Sequence, residues 1–369
     1  MAEVASDVHT VVRDDAPKGT WRFAMGAALR LANPLPYAVA KYRSGEYARQ
    51  VRRLLAAQRF DIVVCDFLFP VVNLPRHLQC STVLFTHNVE SEIWRRHADT
   101  QRSPLMRVLY RQQYRRMLRF EARALARFDS VLAVSDADRE TFARIYPGAM
   151  RKPARVIPTG VDASYFTPSG TPSDPSRRSI VFTGSMDWLP NEDAMLFFCR
   201  EVLPLIRREE PGATLSIVGR TPTPAVQRLA AQEGVTVTGR VEDVRPFLET
   251  ASVFAVPLRI GGGTRLKIFE AMAMGKAVVS TTVGAEGLDV MPGRHLMTAD
   301  DPRGFADAVI ALFRDVERRR QLESAGRALV VGRYDWSAVA ASLEDALVAS
   351  LEHPASTMAR VEWSPLEGH

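Results

Sequence analysis

The sequence has few cysteines and no long apolar run. Its three cysteines, Cys65, Cys80 and Cys199, are scattered without the spacing of metal ligands, so we expect them to be reduced and structural. The most apolar stretch, "FDIVVCDFLFPVV", is interrupted by Asp66 and Pro70 and is too short to cross a bilayer. These absences argue against a disulfide-stapled domain and against a membrane-spanning segment.

A secretory signal is also lacking. The sequence begins "MAEVASDVHTVVRDD", without the basic and apolar regions of such a signal, and we therefore expect a cytoplasmic protein. Hydrophobic residues make up 46% and charged residues 24% of the 369 residues, as in globular proteins. A chain of this length exceeds what one hydrophobic core usually serves, so we expect two domains.

Positive charge is concentrated in the first half of the chain. Residues 1–170 carry 26 Lys and Arg against 16 Asp and Glu, a net charge of +10, whereas residues 171–369 carry 22 against 26, a net charge of −4. The densest basic stretch repeats arginine every fourth residue, which traces one side of a helix: Arg107, Arg111, Arg115, Arg119, Arg123 and Arg127. A solvated helix face and a surface that approaches anionic lipid are both open interpretations. We expect no nucleic-acid partner, because no aromatic stacking platform accompanies the arginines.

Short β-branched runs alternate with helical segments along the chain. The predicted strands are "VHTVV", "FDIVVCD", "STVLFTH", "SVLAVS" and "ARVIPTG" in the first half, and "SIVFTGS", "ATLSIVG", "VTVTGR", "SVFAVPL" and "KAVVSTTV" in the second. This alternation predicts an α/β fold with two parallel sheets. The Pro- and Ser-rich "YFTPSGTPSDPSRRS" predicts a linker, so we expect domains at 1–165 and 176–350 and a tail at 351–369.

One turn concentrates glycine and charge before a helix. In "GGGTRLKIFEAMAMGK", Gly261, Gly262 and Gly263 form the turn, Thr264 caps the helix, and Gly275 ends it. Backbone N–H groups at such a helix start can bind an anion, and Arg265 and Lys267 add positive charge at the same end. Glu270 lies one turn deeper on the same side and could accept hydrogen bonds from sugar hydroxyls. A plain glycine turn with a surface Lys267–Glu270 pair is the alternative.

A set of motifs in a fixed order carries a family resemblance. The motifs are "FTHNVES", "VSDADRE", "VIPTGVD", "FTGSMDWLPN", "TGRVEDVRPFL" and "GGGTRLKIFEAMAMGKAVVSTTVGAEGL". From about residue 55 to residue 350 the sequence resembles the glycosyltransferases of the GT-B fold, specifically family 4. The resemblance implies two Rossmann-like domains that face a cleft, and transfer of a sugar from a nucleotide donor with retention at the anomeric carbon.

The resemblance also implies roles for individual residues. Glu270 matches a glutamate that holds the donor ribose, and His87 matches a histidine that approaches the reacting sugar; these two are the catalytic candidates. Gly184 matches a position where a backbone amide meets the diphosphate. The full set of candidates for binding the donor nucleotide and its phosphates is Gly184, Gly239, Val241, Gly261, Gly262, Gly263, Thr264, Arg265 and Lys267. Many family members carry an acidic residue where this sequence has Gly262, and this departure makes the donor sugar harder to assign.

These features together predict an enzyme of the hexosyltransferase type. We expect it to transfer a sugar to a glycan or lipid-linked acceptor in cell-surface polysaccharide synthesis, with no obligatory metal or other cofactor. An anionic membrane surface is a further expected partner, which would place the protein at the inner face of the membrane. A sugar-nucleotide epimerase and a non-catalytic nucleotide-sugar-binding protein are the alternatives. The sequence does not identify the donor sugar, the base, the acceptor or the oligomeric state.

The start of the sequence departs from the fold that the resemblance implies. Such a sheet normally opens with an apolar strand followed by a glycine-rich loop, but here the nearest candidate, "VHTVV", is followed by Arg13, Asp14 and Asp15. We therefore expect the first domain to lack its N-terminal strand, through a misplaced start or a truncation.

Overall fold

The computed structural model describes residues 6–12, 33–101, 103–170, 176–260 and 266–351. It divides into two compact units: the first comprises Met1–Ile157 together with Leu343–His369, and the second comprises Pro158–Ser342. This division differs from the domain boundaries predicted at 165 and 176, because it assigns residues 158–165 to the second unit and the end of the last helix to the first.

The first unit contains a four-stranded parallel sheet in the order β1-β2-β3-β4. Its elements in chain order are α1 (Tyr37–Tyr42), α2 (Gly45–Ala57), β1 (Ile62–Asp66), a 3-10 turn (Phe69–Asn73), β2 (Ser81–Thr86), α3 (Glu90–Thr100), α4 (Pro104–Arg127), β3 (Ser130–Ala133), α5 (Asp136–Ile145) and β4 (Arg155–Val156). Helices between successive strands allow the strands to run in the same direction.

The strand predicted at residues 8–12 is wrong. These residues form no strand with any described residue, and the first described strand is β1. The side chain of Val12 is 89% exposed, so the β-branched residues of this stretch do not gain the burial that stabilises a strand.

The second unit contains a six-stranded parallel sheet in the order β10-β9-β8-β5-β6-β7. Its elements are β5 (Ser179–Thr183), α6 (Leu189–Phe197), a π-helical turn (Phe198–Val202), α7 (Leu203–Glu209), β6 (Thr214–Val218), α8 (Pro224–Gln227), a 3-10 turn (Arg228–Ala231), β7 (Val235–Gly239), α9 (Arg245–Thr250), β8 (Val253–Val256), α10 (Leu266–Ala273), β9 (Ala277–Ser280), β10 (Met297–Thr298), α11 (Pro302–Arg314) and α12 (Val316–Arg333). Helix α13 (Trp336–Leu351) begins in this unit and ends in the first.

The central strands of the second sheet are buried on both faces. All four residues of β8 and of β9 are buried, as are Phe182 on β5 and Phe269 on α10. Continuous apolar strands of this kind are typical of a parallel sheet covered by helices. The predicted α/β class with two parallel sheets is therefore confirmed.

The order of the strands creates a switch in chain direction beside β5. From β5 the chain continues outward to β6 and β7, whereas the later strands β8, β9 and β10 extend in the opposite direction. Connections that leave in opposite directions open a crevice at the carboxyl ends of the strands, where α/β proteins bind ligands. None of the helices in the described ranges is both long and apolar enough to cross a bilayer.

The cysteines fit the structural role that the sequence predicts. Cys65 on β1 and Cys199 in the π-helical turn are buried, and Cys80 is half-buried. Burial raises the pKa of Cys65 and of Cys199 to about 12, because the thiolate is poorly solvated there. Both thiols are therefore protonated and unreactive near neutral pH.

Candidate functional site

A cavity of about 720 Å³ opens in the second unit at the carboxyl ends of its strands. Its walls are the turns after β5, β6 and β7 together with the first turns of α10, as the switch in strand order predicts. Four of the residues predicted from the sequence line this cavity: Gly184, Val241, Lys267 and Glu270. Gly239 immediately precedes the lining residue Arg240, at the end of β7.

The predicted glycine loop is not among the residues that the structure describes. Gly261, Gly262, Gly263, Thr264 and Arg265 lie outside the described residues, and their roles stay predictions. The helix that follows them is described from Leu266, and it ends as predicted, because Gly275 has a φ of 63° that favours glycine.

The turn after β5 does not offer the backbone amide that the sequence predicts. The N–H of Gly184 donates to the Val218 carbonyl at 3.0 Å, because the hydrogen-bond ladder with β6 extends one residue beyond the strand. This N–H is therefore not available to a diphosphate. The N–H of the next residue, Ser185, has no acceptor among the described residues and is the better candidate.

Gly184 instead provides space. A Cβ atom at this position would lie 2.7 Å from Nδ2 of Asn191 and 2.9 Å from Nζ of Lys267, closer than real Cβ contacts allow. Gly219, at the end of β6, is equally constrained, since its Cβ would lie 1.7 Å from the carbonyl oxygen of Gly184. Gly219 therefore requires glycine, because the clash would be with backbone, whereas a Cβ at Gly184 would force the side chains of Asn191 and Lys267 to move.

Lys267 is the cation that α10 contributes to the cavity. Its ammonium donates to Oδ1 of Asn191 at 2.9 Å and lies 4.3 Å from the centre of the Phe182 ring. The amide oxygen and the ring face both attract a cation, so they hold the ammonium beside the β5 turn.

Glu270 lies one turn deeper on α10 and is half-buried. Burial raises the pKa of its carboxyl above the usual value, and the neighbouring Lys267 ammonium opposes this shift. No described residue donates a hydrogen bond to the Glu270 carboxylate. A partly desolvated acceptor without a protein donor can bind hydroxyl groups of a ligand.

Two cations and an aromatic residue of this cavity are not among the residues predicted from the sequence. Arg220 follows β6, and its Nε donates to Oγ of Ser185 at 2.9 Å, while Arg240 follows β7 and is exposed. Trp188, which is 43% exposed, lines the same cavity. A cation directly after the carboxyl end of a parallel strand, as in "SIVGR" and "TVTGR", is the signal that could have identified both arginines.

His87 lies in the first unit, directly after β2 as predicted. Its Nε2 atom is 2.7 Å from Oδ1 of Asp66, the last residue of the neighbouring strand β1. The ring stacks on Phe67, with 4.1 Å between ring centroids and an interplanar angle of 18°. Phe67 has a φ of 68°, an uncommon and costly conformation for a residue other than glycine. This turn therefore aligns an aromatic ring and a carboxylate with the histidine.

A buried carboxylate caps the helix that follows His87. Glu121 on α4 is fully buried and accepts hydrogen bonds from the N–H groups of Glu90 and Ser91 at 2.9 and 3.1 Å, and from the Tyr146 hydroxyl at 2.5 Å. Burial and the nearby Glu121 raise the pKa of Glu90 to about 7. The first turn of α3 thus contains a carboxyl group that titrates near neutral pH.

The structure divides the predicted row of arginines on α4 into two groups. Arg107 donates to the Gln101 carbonyl at 2.9 Å, and Arg127 donates to the carbonyls of Val71 and Pro75, so both are part of the fold. The other four are exposed and have no hydrogen bond or ion pair with a described residue: Arg111, Arg115, Arg119 and Arg123. Leu105 and Val108 on the same helix are 79% and 65% exposed.

Two family models match the chain. The model described as Glycosyltransferase Family 4 matches residues 7–165, and the model described as Glycosyl transferases group 1 matches residues 177–315.

Curated relatives match a little more than half of the chain. The chain is 30% identical over 226 residues to the phosphatidyl-myo-inositol mannosyltransferase of Mycobacterium tuberculosis, and the match covers 58% of this chain and 57% of that protein. The chain is 29% identical over 214 residues to the GDP-mannose-dependent monoacylated alpha-(1-6)-phosphatidylinositol monomannoside mannosyltransferase of Corynebacterium glutamicum. This match covers 52% of this chain and 55% of that protein. The chain thus spans little more than half the length of these relatives.

Solved structures share the fold at low sequence identity. A sucrose-phosphate synthase from Thermosynechococcus elongatus has a TM-score of 0.61 and 18% identity, and the match covers 82% of this chain and 77% of that one. HepE from Anabaena, in complex with UDP, has a TM-score of 0.61 and 15% identity, with 82% of both chains covered. At these identities the likeness concerns the fold alone.

Proposed function

The chain belongs to glycosyltransferase family 4 of the GT-B fold, and from this premise we propose that it transfers a sugar from a nucleotide-sugar donor to a glycan or lipid-linked acceptor with retention. The observation that carries the proposal is the cavity of the second unit. It brings Arg220, Arg240 and Lys267 together with the Glu270 carboxylate at the carboxyl ends of parallel strands.

The charges of this cavity complement a nucleoside diphosphate. Lys267 and Arg220 lie at the β5 turn, where they can neutralise a diphosphate and stabilise the charge that develops as it leaves the sugar. Glu270 would accept hydrogen bonds from the ribose hydroxyls, and the backbone near Gly239 and Val241 would hold the base. In this proposal His87, held by Asp66, would bind hydroxyls of the donor sugar or the developing charge.

The donor and acceptor follow from the named relatives only as candidates. GDP-mannose is the first donor to test, because the name of the Corynebacterium relative specifies dependence on it. Phosphatidylinositol-linked acceptors are candidates for the same reason, alongside a role in cell-surface polysaccharide synthesis. The proposal includes no metal, so we expect EDTA to leave turnover unchanged.

Exposed groups on α4 support a further proposal, contact with an anionic membrane. At about 100° per residue, Leu105, Val108 and the four exposed arginines fall within an arc of roughly 120° on one side of the helix. We name these six residues the α4 stripe. The only acidic residue of α4, Glu121, is buried on the opposite side. Apolar side chains beside unpaired guanidinium groups match the interface of a bilayer that contains anionic lipids. This contact would place the protein at the inner face of the membrane.

Nucleotide binding tests the central proposal. We expect GDP, UDP or ADP to raise the thermal unfolding temperature, because a ligand of the folded state stabilises it by mass action. Lys267→Ala and Glu270→Ala should each weaken binding of that nucleotide by about 1.5–3 kcal/mol, the value of a charge-assisted hydrogen bond. Glu317→Ala, at an exposed position of α12, is the matched control and should bind as the wild type does.

Turnover separates the proposal from its alternatives. Transfer or slow hydrolysis with a panel of nucleotide sugars supports a transferase, whereas formation of an epimer supports a sugar-nucleotide epimerase. Binding without turnover supports a non-catalytic binding protein. Wild-type affinity in both the Lys267 and Glu270 variants would remove this cavity as the donor site.

A further inference from the structure

We infer that Asn191 is a positioning residue that fixes the Lys267 ammonium beside the β5 turn without bringing a negative charge to it. The inference rests on the proposed nucleotide function and adds to it a residue that does not line the cavity. Asn191 lies in the first turn of α6 and is 2% exposed.

Both ends of the Asn191 side chain are engaged. Its Nδ2 group donates to the Ser185 carbonyl at 2.8 Å, and its Oδ1 atom accepts from the Lys267 ammonium at 2.9 Å. The two partners define the orientation of the amide, because only the nitrogen can donate to a carbonyl and only the oxygen can accept from an ammonium. The side chain therefore links the turn after β5 to the first turn of α10.

An amide suits this position better than a carboxylate. An ionised carboxylate has no donor for the Ser185 carbonyl, so the link to the β5 turn would be lost. It would also place a negative charge against the ammonium and weaken the attraction of Lys267 for a phosphate. The neutral amide constrains the lysine without adding a charge that would oppose the binding of an anion.

The surroundings of Lys267 leave it little other space. The ring of Phe182 lies beneath the ammonium at 4.3 Å, and Gly184 is so close that a Cβ there would approach it to 2.9 Å. A lysine side chain has a flexible four-carbon stem, and ordering it on binding would cost conformational entropy. Because Asn191 and Phe182 hold it in advance, that cost is met during folding.

Asn191→Asp tests the inference with a change of nearly equal size. We expect the dissociation constant for the nucleoside diphosphate that the wild type binds to rise by roughly tenfold to a hundredfold, as for loss of a charge-assisted hydrogen bond. Affinity for the matching nucleoside, which lacks phosphates, should stay unchanged. Lowering the pH should restore diphosphate affinity in the variant, since protonation of the introduced carboxyl removes its charge.

Two further variants make the measurement specific. Gln321→Glu adds the same charge at an exposed position of α12 and should leave both affinities unchanged. In Lys267→Met, adding Asn191→Asp should cost little more diphosphate affinity, because the interacting partner is already gone.

Three results would overturn the inference: wild-type diphosphate affinity in Asn191→Asp, an equal loss of nucleoside affinity, or additive losses in the double variant. A wild-type protein that binds no nucleoside diphosphate would instead overturn the proposed function, and this inference with it.

Discussion

His87 and Asp66 are joined by a hydrogen bond of 2.7 Å across the carboxyl ends of two neighbouring strands. When Nε2 of the imidazole donates to this carboxylate, Nδ1 is the nitrogen that can accept from another group. The stacked ring of Phe67 constrains the imidazole further. The pair therefore fixes both the orientation of His87 and the nitrogen that it presents to a ligand.

We expect His87→Ala to lower kcat by roughly a hundredfold, the effect of removing one group that stabilises developing charge. Donor affinity should change little, because the nucleotide is proposed to bind the second unit. Asp66→Asn should have a smaller effect, because the amide oxygen can still accept a hydrogen bond from the imidazole but no longer carries a charge. Steady-state kinetics, in which the concentrations of donor and acceptor are varied, measure kcat and the dependence on donor for both variants. Exposed His77, changed to Ala, is the control, and unchanged kcat in His87→Ala would assign His87 a structural role only.

We expect Gly184→Ala to abolish or strongly weaken nucleotide binding. The added Cβ would displace both Asn191 and Lys267, whose side-chain atoms lie 2.7 and 2.9 Å from its position. Gly332→Ala is the matched control, because nothing lies within 4 Å of its Cβ and it lies within helix α12, where alanine is favoured by about 0.5–1 kcal/mol. Calorimetric titration with the nucleotide measures the effect. A Gly184→Ala variant that binds normally would show that the β5 turn can shift without loss.

The raised pKa of Glu90 predicts a pH-dependent contribution to stability. Its folded pKa of about 7 lies above the ordinary value of 4.5, so the folded state binds the proton more tightly than the unfolded state. The stability gained from the protonated group is fully present below pH 4.5 and is lost as the pH rises through 7. At about 1.4 kcal/mol per pKa unit, the difference in the free energy of unfolding amounts to at most about 3.5 kcal/mol.

Glu90→Gln should remove this dependence. The wild type should lose free energy of unfolding between pH 5 and pH 8 as Glu90 ionises, whereas the variant should not, because its amide does not ionise. The stability of the variant relative to the wild type should therefore increase over this pH range. Denaturant unfolding at both pH values measures the gain, and Glu46→Gln, at an exposed position of α2, should show none. Parallel pH curves for Glu90→Gln and wild type would contradict the prediction.

The α4 stripe predicts salt-sensitive binding to anionic vesicles. Changing Arg111 and Arg115 to Gln should weaken binding by about 1 kcal/mol for each arginine, and raised salt should weaken wild-type binding as the charges are screened. Leu105→Ser should reduce the part of the binding that persists at high salt, because that part depends on apolar burial. Vesicle co-sedimentation measures both.

The two arginines that are part of the fold provide the contrast. Because Arg107 and Arg127 bind backbone carbonyls, changing either should lower the stability of the first unit more than vesicle binding. Equal binding of the wild type to neutral and anionic vesicles would refute the membrane proposal, and binding of nucleic acid in competition with vesicles would assign the stripe to a different partner.

Local sequence predicted the elements that depend on near neighbours. The β-branched run "SIVFTGS" predicts the strand that ends before Gly184, and β5 confirms it. The end of α10 before Gly275 was predicted from the conformational freedom of glycine. Such features are decided within a few residues, which is why a single sequence contains the information.

The same reasoning was wrong where burial decided the outcome. The β-branched run at residues 8–12 has the composition of a strand, but a strand also needs a neighbour to pair with and a face to bury, and local composition specifies neither. The amide of Gly184 was expected to face a ligand, but the register with β6 directs it to Val218. Register is a property of two strands and cannot be read from one.

The sequence by itself determined the alternation of strands and helices, the basic first half, and the residue types of the candidate site. Only the tertiary structure decided which of those residues meet. Lys267 and Asn191 are 76 positions apart and are brought together because β5 and β8 are neighbours in the sheet. Asp66 reaches His87 for the same reason at β1 and β2. Contacts of this kind depend on strand order and register, which are set by the packing of the whole sheet and not by any one segment.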